Sequence, residues 1–137
     1  MGVAVLAKDL KIGVFTDIHL NTLYDATISS ETYCQASDSE NSLAKVVANF
    51  GRFGCDPPQL LLETMFKIIK EEHADLDVLL VPGDIVGPPF PEDITWGGGN
   101  YPELLNILAT VGDLFTQYFP DVVVLPAFGN NDSKYHY

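Results

Sequence analysis

Basic residues are scarce in this sequence, and their scarcity restricts the partners that the protein can bind. Seven Lys and Arg residues stand against nineteen Asp and Glu residues in a chain of 137, for a formal net charge of -12. Nonspecific attraction to nucleic-acid phosphates or anionic lipid needs a positive surface, so we expect no nucleic-acid partner. An acidic protein handles an anionic substrate only where metal ions reverse the local field.

Long apolar runs and closely spaced cysteines are also missing. No run of eighteen apolar residues occurs, so we predict no membrane span, and the apolar stretch Val3 to Ala7 is too short for the core of a secretory signal. The two cysteines, Cys34 and Cys55, form no Cys-x-x-Cys pair, which disfavours cysteine-bound zinc. Their spacing leaves two free thiols and a disulfide equally open.

The sequence does have enough apolar material for one folded domain or part of one. Hydrophobic residues make up 47% of the chain and its mean hydropathy is +0.13, which excludes disorder throughout. Apolar runs predict three strands, at 11–16, 77–82 and 121–128. Apolar residues at helical spacing predict two helices between them, at about 57–74 and 102–118. Wholly apolar strands alternating with helices predict an α/β fold with a parallel sheet, helical crossovers and strands buried on both faces.

Two connections in this pattern are long. Residues 20–56 are polar and rich in turn residues, and a connection of that length is typical of a functional or locally ordered segment. At its end Asp56 suits the N-cap of the first helix, and Pro57 suits the first turn. Residues 87–102, which include Trp96, form a proline-rich and glycine-rich loop.

Polar residues follow each predicted strand at the point where the strand ends. The first strand ends in Thr16-Asp17-Ile18-His19, the second in Gly83-Asp84, and the third in Gly129-Asn130-Asn131-Asp132. In a parallel α/β sheet the ligand site lies beyond the carboxyl ends of the strands. We therefore expect the three clusters to meet in space.

The residue types in these clusters suit divalent metal ions. Asp17 and His19 are two apart, so on an extended strand end both side chains point the same way and offer oxygen and nitrogen ligands. Asp84 is placed to bridge two ions, Gly83 allows a close backbone approach, and Asn130 offers an amide oxygen. Each motif alone is more typical of a turn. Together, at the ends of three consecutive strands, they favour a metal site.

These residues resemble the motifs of the calcineurin-like metallophosphoesterases, which carry Asp-x-His, Gly-Asp and Gly-Asn-(His)-(Asp/Glu) after successive strands. The segment Phe15 to His19, with Tyr24, looks like the first motif of the acid sphingomyelinase-like phosphodiesterase branch. The segment Gly51 to Pro58, followed by Leu62-Glu63-Thr64, looks like the Cys-Asp-x-Pro start of a helix in that branch. The segment Gly129 to Asp132 is most similar to the vacuolar endopolyphosphatase relatives.

The resemblance implies a fold, a site and a chemistry. Asp17 and His19 would bind the first of two divalent ions (Zn, Mn or Fe), Asp84 would bridge both, and Asn130 would bind the second. A hydroxide would attack the phosphorus of a phosphoester or polyphosphate substrate. Members of this branch are usually secreted, lysosomal or vacuolar. A disulfide before the helix in this branch favours pairing of Cys34 with Cys55.

Two departures from the family pattern concern catalysis. Asn131 occupies the catalytic position at which the family usually has a histidine, and asparagine donates a hydrogen bond but transfers no proton near neutral pH. The family also needs a later lone histidine and a Gly-His-x-His segment. The sequence has two other histidines: His73 is predicted to be a surface residue of the first helix, and His136 has no matching context.

Residues 1–137 are therefore interpreted as a partial phosphoesterase domain, the amino-terminal half of an αββα sandwich without the later metal-binding half. A phosphoester hydrolase, an inactive fragment or degenerate paralogue, and a metal or anion sensor with a basic partner remain as alternatives. Three parallel strands alone would leave an uncovered apolar face, which predicts poor solubility or self-association. We also expect Tyr33 and Phe53 to pack around the cysteines, and Asp132 to hold its own turn. Trp96 is expected to anchor its loop or to form a lid.

Overall fold

The computed structural model describes residues 9–35, 43–88 and 101–133. The regular elements in these ranges alternate between strand and helix after a short 3-10 helix at Ser30–Thr32. They are the strands β1 (Ile12–Val14), β2 (Val78–Val81) and β3 (Val123–Pro126) and the helices α1 (Gln59–Glu72) and α2 (Tyr101–Tyr118). The predicted order of strands and helices is confirmed, although each strand is shorter than its apolar run.

The three strands form one parallel sheet in the order β1-β2-β3. Val78 in the central strand is in register with Ile12 on one side and Val123 on the other. Each helix connects one strand to its neighbour, which is the crossover arrangement predicted from the sequence. The carboxyl ends of all three strands consequently lie at one edge of the sheet.

The core lies between the two helices and one face of the sheet. Phe66 of α1 is fully buried, and its ring lies 4.7 Å from Phe115 of α2 and 5.0 Å from Phe15, which follows β1. Leu79 and Val81 are the residues of β2 that face this cluster. Burial of aromatic rings contributes most of the packing energy in a core of this size.

The opposite face of the sheet is open, and here the prediction of strands buried on both faces is wrong. Ile12 and Val14 of β1 are 52% and 60% exposed, and Val123 and Leu125 of β3 are 56% and 52% exposed. Two successive crossovers that step in the same direction along a sheet, each right-handed, place both helices on the same face. The described helices therefore cover one face and leave the other apolar and exposed.

Helix α1 starts later than predicted, and Asp56 does not cap it. The N-cap position is Pro58, and no side chain caps the helix there. A proline disfavours the helical conformation of the residue before it, so the pair Pro57-Pro58 keeps both Asp56 and Pro57 out of the helix. His73 follows the end of α1 and is exposed, as predicted for a surface residue.

The long connection between β1 and α1 is ordered in its described parts. A disulfide joins Cys34 to Cys55 with 6.0 Å between their Cα atoms, which confirms the pairing implied by the family resemblance. Asn21 pairs with Pro58 in an isolated parallel bridge. The prediction for Phe53 is wrong, since its side chain is fully exposed rather than packed on the disulfide. Tyr33 is half-buried.

An apolar groove of about 540 Å³ lies between α2 and β3, with Phe115, Val124 and Phe128 among its lining residues. Across the described parts of the chain, no helix combines the length and apolarity needed to cross a membrane. Trp96, most of the predicted loop at 87–102, and His136 lie outside the described residues.

Candidate metal centre

The chain after β1 runs alongside the chain after β2, which brings their polar residues together. The backbone N–H of Asp17 donates to the carbonyl of Gly83 at 3.1 Å, and that of His19 donates to the carbonyl of Asp84 at 3.1 Å. These bonds extend the pairing of the two strands beyond the regular sheet. They fix the Asp17 and His19 backbone against the Gly-Asp turn.

The backbone conformation at this site differs from the one predicted. Asp17, His19 and Asp84 have φ angles of 53°, 46° and 52°. This left-handed region is uncommon for residues with a side chain, and such residues concentrate at functional sites. The prediction that Asp17 and His19 share a side because the strand is extended is therefore wrong in its reason. The two side chains do converge, but left-handed backbone conformations at both residues bring them together.

Asp17, His19 and Asp84 each offer one ligand atom, and these three atoms lie within 4.8 Å of one another. Bonds of about 2.1 Å to a common ion need only small side-chain movements from this arrangement. The predicted convergence of the first two strand ends is confirmed. Asp17 is exposed, whereas His19 and Asp84 are half-buried, so the cluster is accessible from one side.

A buried nitrogen without a partner indicates that this cluster fits a cation. His19 Nε2 is buried and has no hydrogen-bond partner among the described residues. Burial of a polar atom without a partner costs free energy, and a metal ion would satisfy this nitrogen. Two carboxylates and one imidazole form a donor set suited to divalent Zn, Mn or Fe.

The carboxylates of the cluster are held by nearby donors. The Thr16 hydroxyl donates to Asp17 Oδ2 at 2.7 Å, and the backbone N–H of Asn131 donates to Asp84 Oδ1 at 3.1 Å. The second of these bonds connects the third strand end to the second. All three predicted clusters therefore lie at one edge of the sheet.

The turn after β3 is organised by Asp132, as predicted. This side chain is only 3% exposed and accepts hydrogen bonds from the backbone N–H groups of Gly129 at 2.8 Å and Val86 at 3.0 Å. Within the turn, the Asn130 amide donates to Asn131 Oδ1 at 3.0 Å. Asn130 is exposed and sits between two residues that contact Asp84, while Asn131 is buried. Their roles as metal ligand and catalytic residue stay predictions.

Two glycines allow the strand ends to approach each other. A Cβ atom on Gly83, whose φ is 110°, would lie 2.1 Å from the Gly129 nitrogen. A Cβ atom on Gly129 would lie 2.2 Å from Asp84 Oδ1. No real side chain tolerates such distances, so the contact between the second and third clusters requires glycine at both positions.

The structure also places Asp56, predicted as the N-cap of the first helix, beside the metal cluster. Its Oδ1 lies 3.5 Å from His19 Nδ1, and both side chains are about three-quarters buried. Burial raises the pKa of the Asp56 carboxyl above its ordinary value, and the neighbouring His19 imidazole partly offsets that rise. The two consecutive prolines were the signal in the sequence from which one could have predicted that Asp56 lies before the helix and does not cap it.

Comparison with known proteins agrees with the motifs. No family model matches the chain. The chain is 32% identical to Cyclic GMP-AMP phosphodiesterase SMPDL3A of Rattus norvegicus over 121 residues, which cover 85% of this chain and 25% of that protein. It is 29% identical to Sphingomyelin phosphodiesterase B of Dictyostelium discoideum over 130 residues, which cover 90% of this chain and 20% of that protein.

A third relative is the Endopolyphosphatase of Saccharomyces cerevisiae, 28% identical over 151 residues that cover 93% of this chain and 22% of that protein. The chain thus spans no more than a quarter of the length of these relatives.

Proposed function

We infer that this chain, a relative of the calcineurin-like metallophosphoesterases in the branch of acid sphingomyelinase-like phosphodiesterases and endopolyphosphatase, supplies part of the metal site of a phosphoric ester hydrolase. The observation that carries the proposal is the convergence of Asp17, His19 and Asp84, with His19 Nε2 buried and unpartnered. A simple turn does not require carboxylate and imidazole side chains from the ends of two strands to converge, whereas a metal site does.

In this proposal Asp17 and His19 would hold one divalent ion, Asp84 would serve as a ligand shared with a second, and Asn130 would help to hold that second ion. Divalent ions in such a site lower the pKa of a water molecule and stabilise negative charge on phosphoryl oxygens. The chain itself contributes orientation: the Thr16 hydroxyl and the Asn131 N–H hold the two carboxylates. Without cations, two carboxylates this close would repel an anionic substrate.

Asn131 is proposed to donate a hydrogen bond at the catalytic position. Its side chain is buried, and its oxygen already accepts a bond from Asn130, which leaves the amide N–H groups as the donating part. An asparagine cannot protonate a leaving group near neutral pH. The proton must then come from solvent or from another residue.

Residues 1–137 are proposed to form the amino-terminal part of a larger phosphoesterase domain. The open sheet face that carries Val14 and Leu125, and the apolar groove between α2 and β3, are surfaces that a further layer of the domain would cover. The later ligands of the family site would come from that layer. The disulfide between Cys34 and Cys55 favours an oxidising compartment, so we propose a secreted, lysosomal or vacuolar setting.

A second candidate function is hydrolysis of phosphoanhydrides rather than phosphodiesters. It is favoured by the Gly129 to Asp132 segment, where asparagine replaces the usual histidine. Phosphoanhydrides have a better leaving group than alkyl esters, so their hydrolysis depends less on a protonating residue. A chain that binds metal but hydrolyses neither class would be a non-catalytic relative.

Metal binding tests the main proposal. We expect the chain to bind Mn²⁺ or Zn²⁺ in isothermal titration calorimetry, and Asp84→Asn to weaken binding at least about tenfold. Asp113→Asn on the surface of α2 removes the same charge away from the site and serves as the matched control. If the wild-type chain binds neither ion, or if both variants bind alike, the metal site is rejected.

Hydrolysis separates the candidate functions. With Mn²⁺ or Zn²⁺ present, cleavage of an alkyl phosphodiester, which has a poor leaving group, would support a phosphodiesterase. Release of phosphate from polyphosphate, without cleavage of a phosphodiester, would support the hydrolysis of phosphoanhydrides. Metal binding with neither activity, in a protein that also contains the later ligands, would support the non-catalytic relative.

A further inference from the structure

Asp56 lies on the side of His19 opposite to the unpartnered nitrogen. Its Oδ1 is 3.5 Å from His19 Nδ1, while the other ring nitrogen, Nε2, is buried and has no hydrogen-bond partner in the described parts of the chain. The distance exceeds that of an ordinary N–H···O hydrogen bond by a few tenths of an ångström, and a movement of that size would form one. One imidazole thus has a carboxylate on one nitrogen and a free position on the other.

Asp56 is a neighbour of the metal cluster and not a member of it. Among the described residues, the group with mutually close ligand atoms contains Asp17, His19 and Asp84 and does not include Asp56. Its carboxylate therefore acts on His19 rather than on the ion. This separates the role of Asp56 from that of a fourth ligand.

The backbone on both sides of Asp56 is tied down. The preceding residue, Cys55, is joined by the disulfide to Cys34. The following residue, Pro57, accepts a hydrogen bond from the Asn21 backbone N–H at 2.9 Å, and Asn21 lies two residues beyond His19. These links restrain the backbone next to Asp56, and the bond from Asn21 joins it to the chain just beyond His19.

The space for the Asp56 carboxylate comes from Gly87. A Cβ atom on Gly87 would lie 2.1 Å from Asp56 Oδ2. Gly87 is buried and directly follows Val86, whose N–H is bonded to Asp132 in the turn after β3. The Asp56 carboxylate thus fits beside residue 87 only because glycine has no side chain.

We propose that Asp56 is a positioning residue, whose carboxylate accepts a hydrogen bond from the Nδ1–H of His19 and thereby leaves the lone pair of Nε2 available to a cation. A neutral imidazole carries its proton on only one nitrogen, and the partner of that nitrogen decides which one it is. A carboxylate behind a metal-binding histidine fixes both the tautomer and the ring orientation. The inference depends on the proposed metal site, but the tautomer of His19 can be measured without any metal.

The first test is the tautomer of His19 in the metal-free wild-type chain. Long-range ¹H–¹⁵N NMR at about pH 8, where histidine is neutral, should show the proton on Nδ1. In Asp56→Ala the population should shift towards the Nε2-protonated form, which is the commoner form of a free imidazole. A wild-type His19 with its proton on Nε2 overturns the proposal, whether or not any variant folds.

The second test is metal affinity. Asp56→Ala should weaken Mn²⁺ binding by about tenfold or more, and Asp56→Asn, which keeps an oxygen acceptor, should recover part of the loss. Asp25→Asn is the matched control. Asp25 lies in the same disulfide-linked region, but its carboxylate accepts hydrogen bonds from Thr27 rather than contacting His19. Equal affinity of the wild type and Asp56→Ala overturns the proposal. Absence of binding by the wild type would instead reject the metal site itself.

Gly87→Ala provides an independent perturbation that leaves Asp56 in the sequence. The added methyl group should displace the carboxylate from His19 and weaken Mn²⁺ binding in the same direction as Asp56→Ala. In the double variant the two effects should not add, because both remove the same contact. Additive losses would mean that Gly87 acts on the site by another route and that Asp56 is not the group it accommodates.

Discussion

At the scale of single residues, the site depends on backbone conformations that most side chains avoid. Asp17, His19 and Asp84 all have positive φ, and each such residue costs roughly 1–3 kcal/mol relative to an ordinary conformation. Hydrogen bonds from Asp17 and His19 to the chain after β2 hold two of them in place. The free energy stored here is consistent with a site selected for ligand geometry rather than for stability.

Glycine at the contact between strand ends gives a prediction at this scale. Gly129→Ala places a methyl group against Asp84 Oδ1, so we expect a loss of about 2 kcal/mol in the free energy of unfolding, together with weaker Mn²⁺ binding. Gly112→Ala is the control: nothing lies within 4 Å of the added atom on the exposed surface of α2. The control should gain up to about 1 kcal/mol because alanine favours a helix.

Urea denaturation monitored by circular dichroism measures both variants. A Gly129→Ala protein as stable as the wild type would show that the two strand ends do not approach as closely as the structure indicates.

At the scale of elements, the segment between β1 and α1 does more than connect them. It contains the disulfide, pairs with itself through Asn21 and Pro58, and near its end carries Asp56, whose carboxyl group lies beside His19. A connection of this length is often functional. The proposed role of this one is to hold Asp56 beside the first strand end.

Removal of the disulfide should affect both stability and the metal site. The double variant Cys34→Ser, Cys55→Ser is expected to lose about 3 kcal/mol in the free energy of unfolding, since the cross-link restricts the unfolded chain. Loosening of the Asp56 segment should also weaken Mn²⁺ binding. Mn²⁺ is an appropriate probe because it prefers the oxygen and nitrogen ligands that this site offers. Unchanged Mn²⁺ affinity in the folded variant would show that the disulfide does not support the metal site.

At the scale of the whole molecule, the sheet is covered on one face only. The exposed side chains Ile12, Val14, Val123 and Leu125 line the other face, and both edges of the described sheet are unpaired by further strands. Exposed apolar surfaces and unpaired edges promote association. The net charge of -12 opposes association by mutual repulsion.

We expect the isolated chain to self-associate as its concentration rises, and high salt to increase this association by screening the charge. The pair Val123→Thr, Leu125→Thr should reduce association in light scattering coupled to size-exclusion chromatography. Leu105→Gln on the helical side of the molecule is the control and should change little. A wild-type chain that remains monomeric over the whole concentration range contradicts this prediction.

Much of the fold could be predicted because its signals are local. Apolar runs and helical spacing located β2 and α2 within a few residues, and the alternation of strand and helix predicted the parallel sheet. The positions of Asp17 and Asp84 after their strands placed them at one edge of the sheet. One of the failures was also local in origin, because the N-cap pattern at Asp56 was outweighed by the two prolines that follow.

The amino-acid pattern was sufficient to predict the order of the elements, the edge of the sheet where the polar clusters lie, and the residue types suited to metal. The contact of Asp56 with His19, the positive φ of three site residues and the placement of both helices on one face became visible only in the folded chain. The first group depends on neighbours along the chain, which periodicity records. The second depends on the handedness of crossovers and on contacts between distant segments, which arise only when the chain is packed.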